Sequence, residues 1–227
     1  MKKITALALM AFAASIASAQ TAPRGKAEAR IAGKAVTIDY GQAKLGARKL
    51  DELMKTLPPD GIWRAGRDQV TTITAEGPIT IGGKALPAGK YSLYVPVGKD
   101  GSYSLAVNKH LGVALKTIFA AAPPALANEP WPILQDYDKN IGKDEVIRVA
   151  LAAGKTATPV DPFSITLTPK GAGATLTLSW GDKTFSTEIE ATLLEPQKNA
   201  DGTMMTEQKI AVGPVASQEA IKQLGTN

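Results

Sequence analysis

Residues 174–180 read Ala-Thr-Leu-Thr-Leu-Ser-Trp. Leu176, Leu178 and Trp180 alternate with small hydroxyl residues, a period of two that puts every apolar side chain on one face of an extended strand. Gly171-Ala172-Gly173 stands before this stretch and Gly181-Asp182 after it, each supplying a residue comfortable at positive φ. A second run, Thr184–Ile189, follows directly. Working outward, the same texture recurs in Val70–Ala75, Ile79–Ile81, Lys90–Val97, Ser102–Asn108, Val146–Ala152 and Phe163–Thr168. Asp60-Gly61, Gly82-Gly83 and Asp100-Gly101 punctuate these runs as turns. Nearer the start, Lys26–Ile31 and Ala35–Tyr40 flank Gly33-Lys34, with Val36, Ile38 and Tyr40 on one face. Short strands at this spacing, with almost no helix between them, predict an all-β fold, an antiparallel β-sandwich of jelly-roll-like type.

Three segments depart from that rhythm. Leu50, Leu53, Met54 and Leu57 recur at three- and four-residue intervals, so Leu45–Leu57 predicts one short amphipathic helix, ended by Pro58-Pro59. Lys116–Pro132 is rich in alanine and proline and too long for a hairpin turn, which marks a functional loop or an insertion. The last stretch, from Leu194, holds an Asp201-Gly202 turn, one strand at Lys209–Val212 and a short helix near Ser217–Leu224. It reads as a loosely packed C-terminal extension, residues 191–227, beyond a domain of residues 20–190.

The first residues carry an export pattern. Lys2 and Lys3 precede an apolar run from Ile4 to Ile16, and Ala17-Ser18-Ala19 then offers the small residues a signal peptidase requires. The run is too short to span a bilayer. Residues 1–19 are therefore read as a signal peptide cleaved after Ala19, which places the rest in the periplasm or outside the cell with no membrane insertion. There are no cysteines, so a core and not disulfides must hold the exported domain together.

Composition removes several functions. The net charge is only +5, the basic residues are dispersed along the sequence, and no aromatic-basic interleaving marks a nucleic-acid surface. One histidine, His110, and no cysteine leave nothing from which to build a nitrogen-and-sulfur zinc site. No Gly-x-Ser-x-Gly elbow accompanies His110. Gly154-Lys155-Thr156 resembles the end of a phosphate loop, but Val149 replaces its first glycine. Asp136-Tyr137-Asp138-Lys139-Asn140 offers oxygens at alternate positions in the manner of a calcium loop, yet Ile141 occupies the place of the obligatory glycine. No cofactor and no metal site is expected.

The most distinctive blocks are Gly61-Ile62-Trp63-Arg64-Ala65-Gly66-Arg67-Asp68-Gln69 and Leu86-Pro87-Ala88-Gly89-Lys90-Tyr91-Ser92-Leu93, followed by Asn108-Lys109. Their order, together with Tyr40, Arg48, Thr71 and Trp180, resembles a bacterial exported family known as domain of unknown function twenty-nine-eleven. The resemblance spans about Lys26 to Glu190 and implies an exported β-sandwich-like domain with no established reaction. Asp68-Gln69 stands where the family usually has Asn-Glu, so acid and amide have traded places. Trp63 offers a large apolar face, and Arg64 and Arg48 offer forked donors suited to a carboxylate, phosphate or sulfate. Arg64 has an alternative use, tying its own loop together through main-chain carbonyls or Asp68.

The leading expectation is a non-catalytic binding module for a small anionic or sugar-like ligand. Arg48, Trp63, Arg64, Asp68 and Asn108 form its site and Trp131 lies on a mobile cover. The alternatives are a hydrolase working through Asp68, Asp138 and Asp144, and an assembly protein docking through the tail from Leu194.

Overall fold

The computed structural model describes residues 21–192. Residues 1–19, read as a signal peptide, and nearly all of residues 191–227, read as a C-terminal extension, lie outside the described residues. The strands are β1 (Arg24–Ile31), β2 (Lys34–Gly41), β3 (Ile62–Trp63), β4 (Thr72–Ala75), β5 (Ile79–Ile81), β6 (Lys84–Leu86), β7 (Gly89–Pro96), β8 (Ser104–Asn108), β9 (Val113–Ala114), β10 (Pro130–Trp131), β11 (Glu145–Ala150), β12 (Ala152–Lys170) and β13 (Gly173–Ala191). Helices α1 (Leu50–Met54), α2 (Leu115–Ile118) and α3 (Tyr137–Asn140) are all short.

The larger sheet runs β1-β2-β4-β7-β8-β11, with β3 pairing β7, and the second runs β12-β13-β5-β6. The pairings within both are antiparallel. The expected all-β sandwich is what the chain builds. Where a jelly roll weaves between sheets by Greek-key crossings, this larger sheet is a meander in chain order, broken once when β5 and β6 leave to join the second sheet.

Alternation explains the core. Val36, Ile38 and Ile73 from the first sheet meet Phe163, Ile165, Leu176, Leu178 and Ile189 from the second in one buried cluster. Each such side chain contributes about 1.5–3 kcal/mol through removal from water. Strand β7 is buried on both faces: Leu93 and Val95 point into the sandwich, while Tyr94 packs outward with Ile62, Ala106, Tyr137 and Ile141. That outer cover comes from the segment after β10. Strand β1 is an edge of the meander, and Lys26, Glu28 and Arg30 alternate along its exposed face.

Two local expectations change. Gly181-Asp182 is no hairpin turn; β13 runs straight through it, with Gly181 at φ +60. The partner strand carries the compensating irregularity, since register shifts fall between Lys155 and Val160 and between Val160 and Ser164. Extra residues on one strand make a bulge and bend the ribbon, so a positive-φ glycine serves a bend here as well as it would a turn. The helix after the first strands is confined to Leu50–Met54, because Gly46 sits at φ +61 and Lys49 is still extended at ψ 140.

Candidate functional site

At one end of the sandwich, the β2–α1 loop, α1 and the β3–β4 loop enclose a cavity of about 410 Å³. Its floor is aromatic. Trp63 is buried and stacks on Trp180 with ring centroids 5.8 Å apart at 13°, and both meet Phe163 edge-on. Trp63 is thus mainly a core residue, and only part of its indole is left to line the cavity. The indole N–H of Trp180, on the same floor, is buried and has no acceptor among the described residues.

The β3–β4 loop is held by the residues around Arg64 and not by Arg64 itself. Thr71 Oγ1 donates to the Ala65 carbonyl at 2.8 Å, and Arg67 N–H donates to the Gly41 carbonyl at 3.1 Å. Arg24 donates to the Gln69 and Val70 carbonyls, each at 3.2 Å. Asp68 accepts the Ala22 N–H and lies 3.6 Å from the Arg67 guanidinium. Gly41 has no room for a side chain, since a Cβ there would meet the Arg67 carbonyl oxygen at 1.8 Å. Ala65 and Asp68 both take left-handed backbone, φ 49 and 61, a conformation that costs non-glycine residues energy and persists only where the surroundings impose it.

Arg64 is left over. Its side chain lines the cavity half-buried, and it makes no hydrogen bond or ion pair with any described residue. Burial pulls its guanidinium below the usual value; Asp68 opposes that shift and Arg67 adds to it. A guanidinium carries five donors, and leaving them desolvated and unmatched is unfavourable. Arg48 takes the role expected of Arg64. Its Nε donates to the Leu45 carbonyl at 3.1 Å and its Nη2 to the Lys44 carbonyl at 2.7 Å, which fixes the fork at the cavity rim. The rim is anchored in turn by Asp161, whose carboxylate accepts the N–H groups of Leu45 (2.8 Å) and Gly46 (3.0 Å) and is held below its ordinary value by those bonds. Lys44 and Arg67 also line the cavity, and no carboxylate does.

Of the five residues read as a site, the fold brings together three: Arg48, Trp63 and Arg64. Asp68 stands behind the loop as its brace. Asn108 is fully buried at the other side of the larger sheet, donating to Tyr137 Oη (3.1 Å) and the Ile141 carbonyl (2.8 Å) and accepting the His110 N–H (2.7 Å). All its polar atoms are matched within the protein. Trp131 pairs with Val113 in the small β9–β10 ribbon and does not line the cavity; Leu134 does. Neither Asp138 nor Asp144 shares this cavity with Asp68, which itself does not line it. Tyr137–Asn140 winds into a helical turn, so its oxygens do not converge as a calcium loop requires, and no group of three or more metal-ligating side chains occurs among the described residues.

Sequence reading missed Lys44, Arg67, Leu134 and Trp180. Arg67 was within reach, since it belongs to the same block as Arg64. Trp180 was hidden by its own strand alternation, which marks core.

Fold and site define an antiparallel β-sandwich with a basic, aromatic-floored cavity at one end. The family model described as "Protein of unknown function (DUF2911)" matches residues 22–189, and the chain belongs to that family. A second family model, "Potassium-transporting ATPase A subunit", matches residues 173–227. Among curated proteins, the potassium-transporting ATPase potassium-binding subunit of Herpetosiphon aurantiacus is 58% identical over 45 residues, 20% of this chain and 8% of that protein. The subunit of the same name from Clostridium botulinum is 63% identical over 35 residues, 15% of this chain and 6% of that protein. The chain thus spans under a tenth of these relatives' length. No solved structure matches at a significant level. No helix among the described residues is long and apolar enough to cross a membrane.

Proposed function

We propose that this domain is a non-catalytic binding module for a small anionic ligand, acting outside the cytoplasm after its leader is removed. The observation that carries the reading is Arg64, half-buried and unmatched by any described residue, in a cavity whose described lining holds three further cations and no carboxylate. An anion there restores the hydrogen bonding that burial has cost the guanidinium, and such charge-assisted bonds are among the stronger polar contacts. The fixed Arg48 fork adds donors whose geometry is set before a ligand arrives, which lowers the entropy cost of binding.

The test uses the chain's own fluorescence. Of three tryptophans, Trp63 and Trp180 line the cavity and Trp131 does not, so a Trp131→Phe protein reports on the site alone. Titrating a panel of small carboxylates, phosphates and sulfates should give saturable changes that Arg64→Ala shifts to about tenfold weaker affinity. Binding of every such anion that is indifferent to Arg64→Ala sinks the reading. For export, the mature N-terminus of secreted material should begin at Gln20; a retained Met1 refutes it.

A further inference from the structure

Resting on that reading, the lining of the cavity narrows the ligand class. We infer that the site takes an amphipathic anion, meaning an acceptor-only head such as a carboxylate or sulfonate carried on an apolar body, and that it rejects polyols and bare inorganic ions.

The polar side chains of the wall are almost all pure donors. Lys44, Arg48, Arg64 and Arg67 donate and cannot accept, and the single hydroxyl is that of Thr56. Among the described residues, the lining holds no Asp, Glu, Asn or Gln side chain. A sugar presents a hydroxyl hydrogen at almost every oxygen, and the described side chains of this wall offer those hydrogens only the Thr56 oxygen. Each O–H desolvated here without a main-chain carbonyl or water to accept it carries a penalty that makes a site reject ligands. A carboxylate or sulfonate brings acceptors only and matches the wall.

The remainder of the wall is apolar. It comprises Leu53 and Met54 of α1 and then Leu57, Pro58, Ile62 and Leu134, together with the two indoles. A phosphate ion would engage the cations and leave these groups facing water. An apolar body covers them, and apolar area removed from water is a source of affinity that an inorganic ion cannot use. Met54 and the other half-buried groups of α1 and the turn after it are adaptable, so body shape is less restricted than head chemistry.

The experiment compares decanoate, decan-1-ol, glucose and inorganic phosphate by calorimetry on the intact chain, with anilinonaphthalene sulfonate as a fluorescent probe. Decanoate should bind saturably and displace the probe, while the other three bind at least about tenfold more weakly, the size of one charge-assisted contact. Arg64→Ala should weaken decanoate about tenfold without affecting decan-1-ol. Leu57→Asn should weaken decanoate and leave phosphate unchanged, with near-ultraviolet circular dichroism showing both variants folded. Phosphate binding as tightly as decanoate, in an Arg64-dependent manner, overturns the amphipathic inference and leaves the anion site standing. Tight glucose binding overturns it as well. If no anion shows dependence on Arg64, both inferences fall together.

Discussion

Two neighbouring regions of this sandwich were marked by similar residues and turned out differently. On the outer face of the larger sheet, Asn108 and Tyr137 form a buried polar cluster whose bonds close on themselves: Tyr137 donates to Glu145 at 3.2 Å, and Glu145 in turn holds Arg148 through two contacts of 2.9 and 2.7 Å. Burial pushes the Tyr137 hydroxyl well above its ordinary value, and hydrogen bonding to Glu145 raises that of Arg148. In the cavity, Arg64 is half-buried, enough to pull its guanidinium below the usual value, and is matched by no described residue. The lesson is that residue type does not separate scaffold from site. Whether the polar bonds are already spent inside the protein does.

The comparison breaks most visibly at Trp63. If its indole is mainly floor and core, Trp63→Ala should cost about 4 kcal/mol of unfolding free energy, read from urea denaturation. A loss below about 1 kcal/mol would make it a surface platform instead. In the closed polar cluster, Asn108→Ala leaves Tyr137 Oη, the Ile141 carbonyl and the His110 N–H unmatched, so a loss of about 3 kcal/mol is expected with no change in ligand affinity. Affinity falling with it would place Asn108 in the site after all.

Acid sharpens the picture at the cavity rim. The Asp161 carboxyl titrates below its ordinary value of 3.8, so its stabilisation of the Leu45–Gly46 turn is complete at neutral pH and is lost as pH falls through the folded-state value. Asp161→Asn should therefore flatten the acid limb of the melting-temperature profile, modestly because the group is exposed; an unchanged limb contradicts the assignment. The smallest effect belongs to Arg64→Ala. Removing an unmatched, half-buried cation should shift stability by less than about 0.5 kcal/mol while ligand affinity falls about tenfold. A loss above about 1 kcal/mol means the protein itself was satisfying Arg64, and the contrast between the two regions disappears.

Much of this was written in the chain. Alternation in Val36-Ile38-Tyr40 and Leu176-Leu178-Trp180 gave both sheets their inward faces, because a one-residue slip would expose every one of those side chains. The Gly181 bend was not legible, since a positive-φ glycine is the same sign for a turn and for a bulge. The Trp63-Arg64 block led to the cavity, and Arg48 came with it. The roles of Arg64 and Arg48 were hidden because carbonyl partners depend on how a loop closes. Asn108 was misread for a related reason: its partners Tyr137 and Ile141 lie 29 and 33 residues away, and only the fold shows that they use up its bonds.

The alternating Lys26, Glu28 and Arg30 along the outermost strand carry a consequence for solution behaviour. A strand margin with no ladder partner among the described residues is a template on which a second molecule can dock, and side chains of mixed charge along the strand make such growth unfavourable. Replacing Lys26 and Arg30 by valine or threonine would turn that margin into a sticky rail, prone to head-to-head pairing and then to fibre formation. The charges of the first strand thus disfavour edge-to-edge association through that margin.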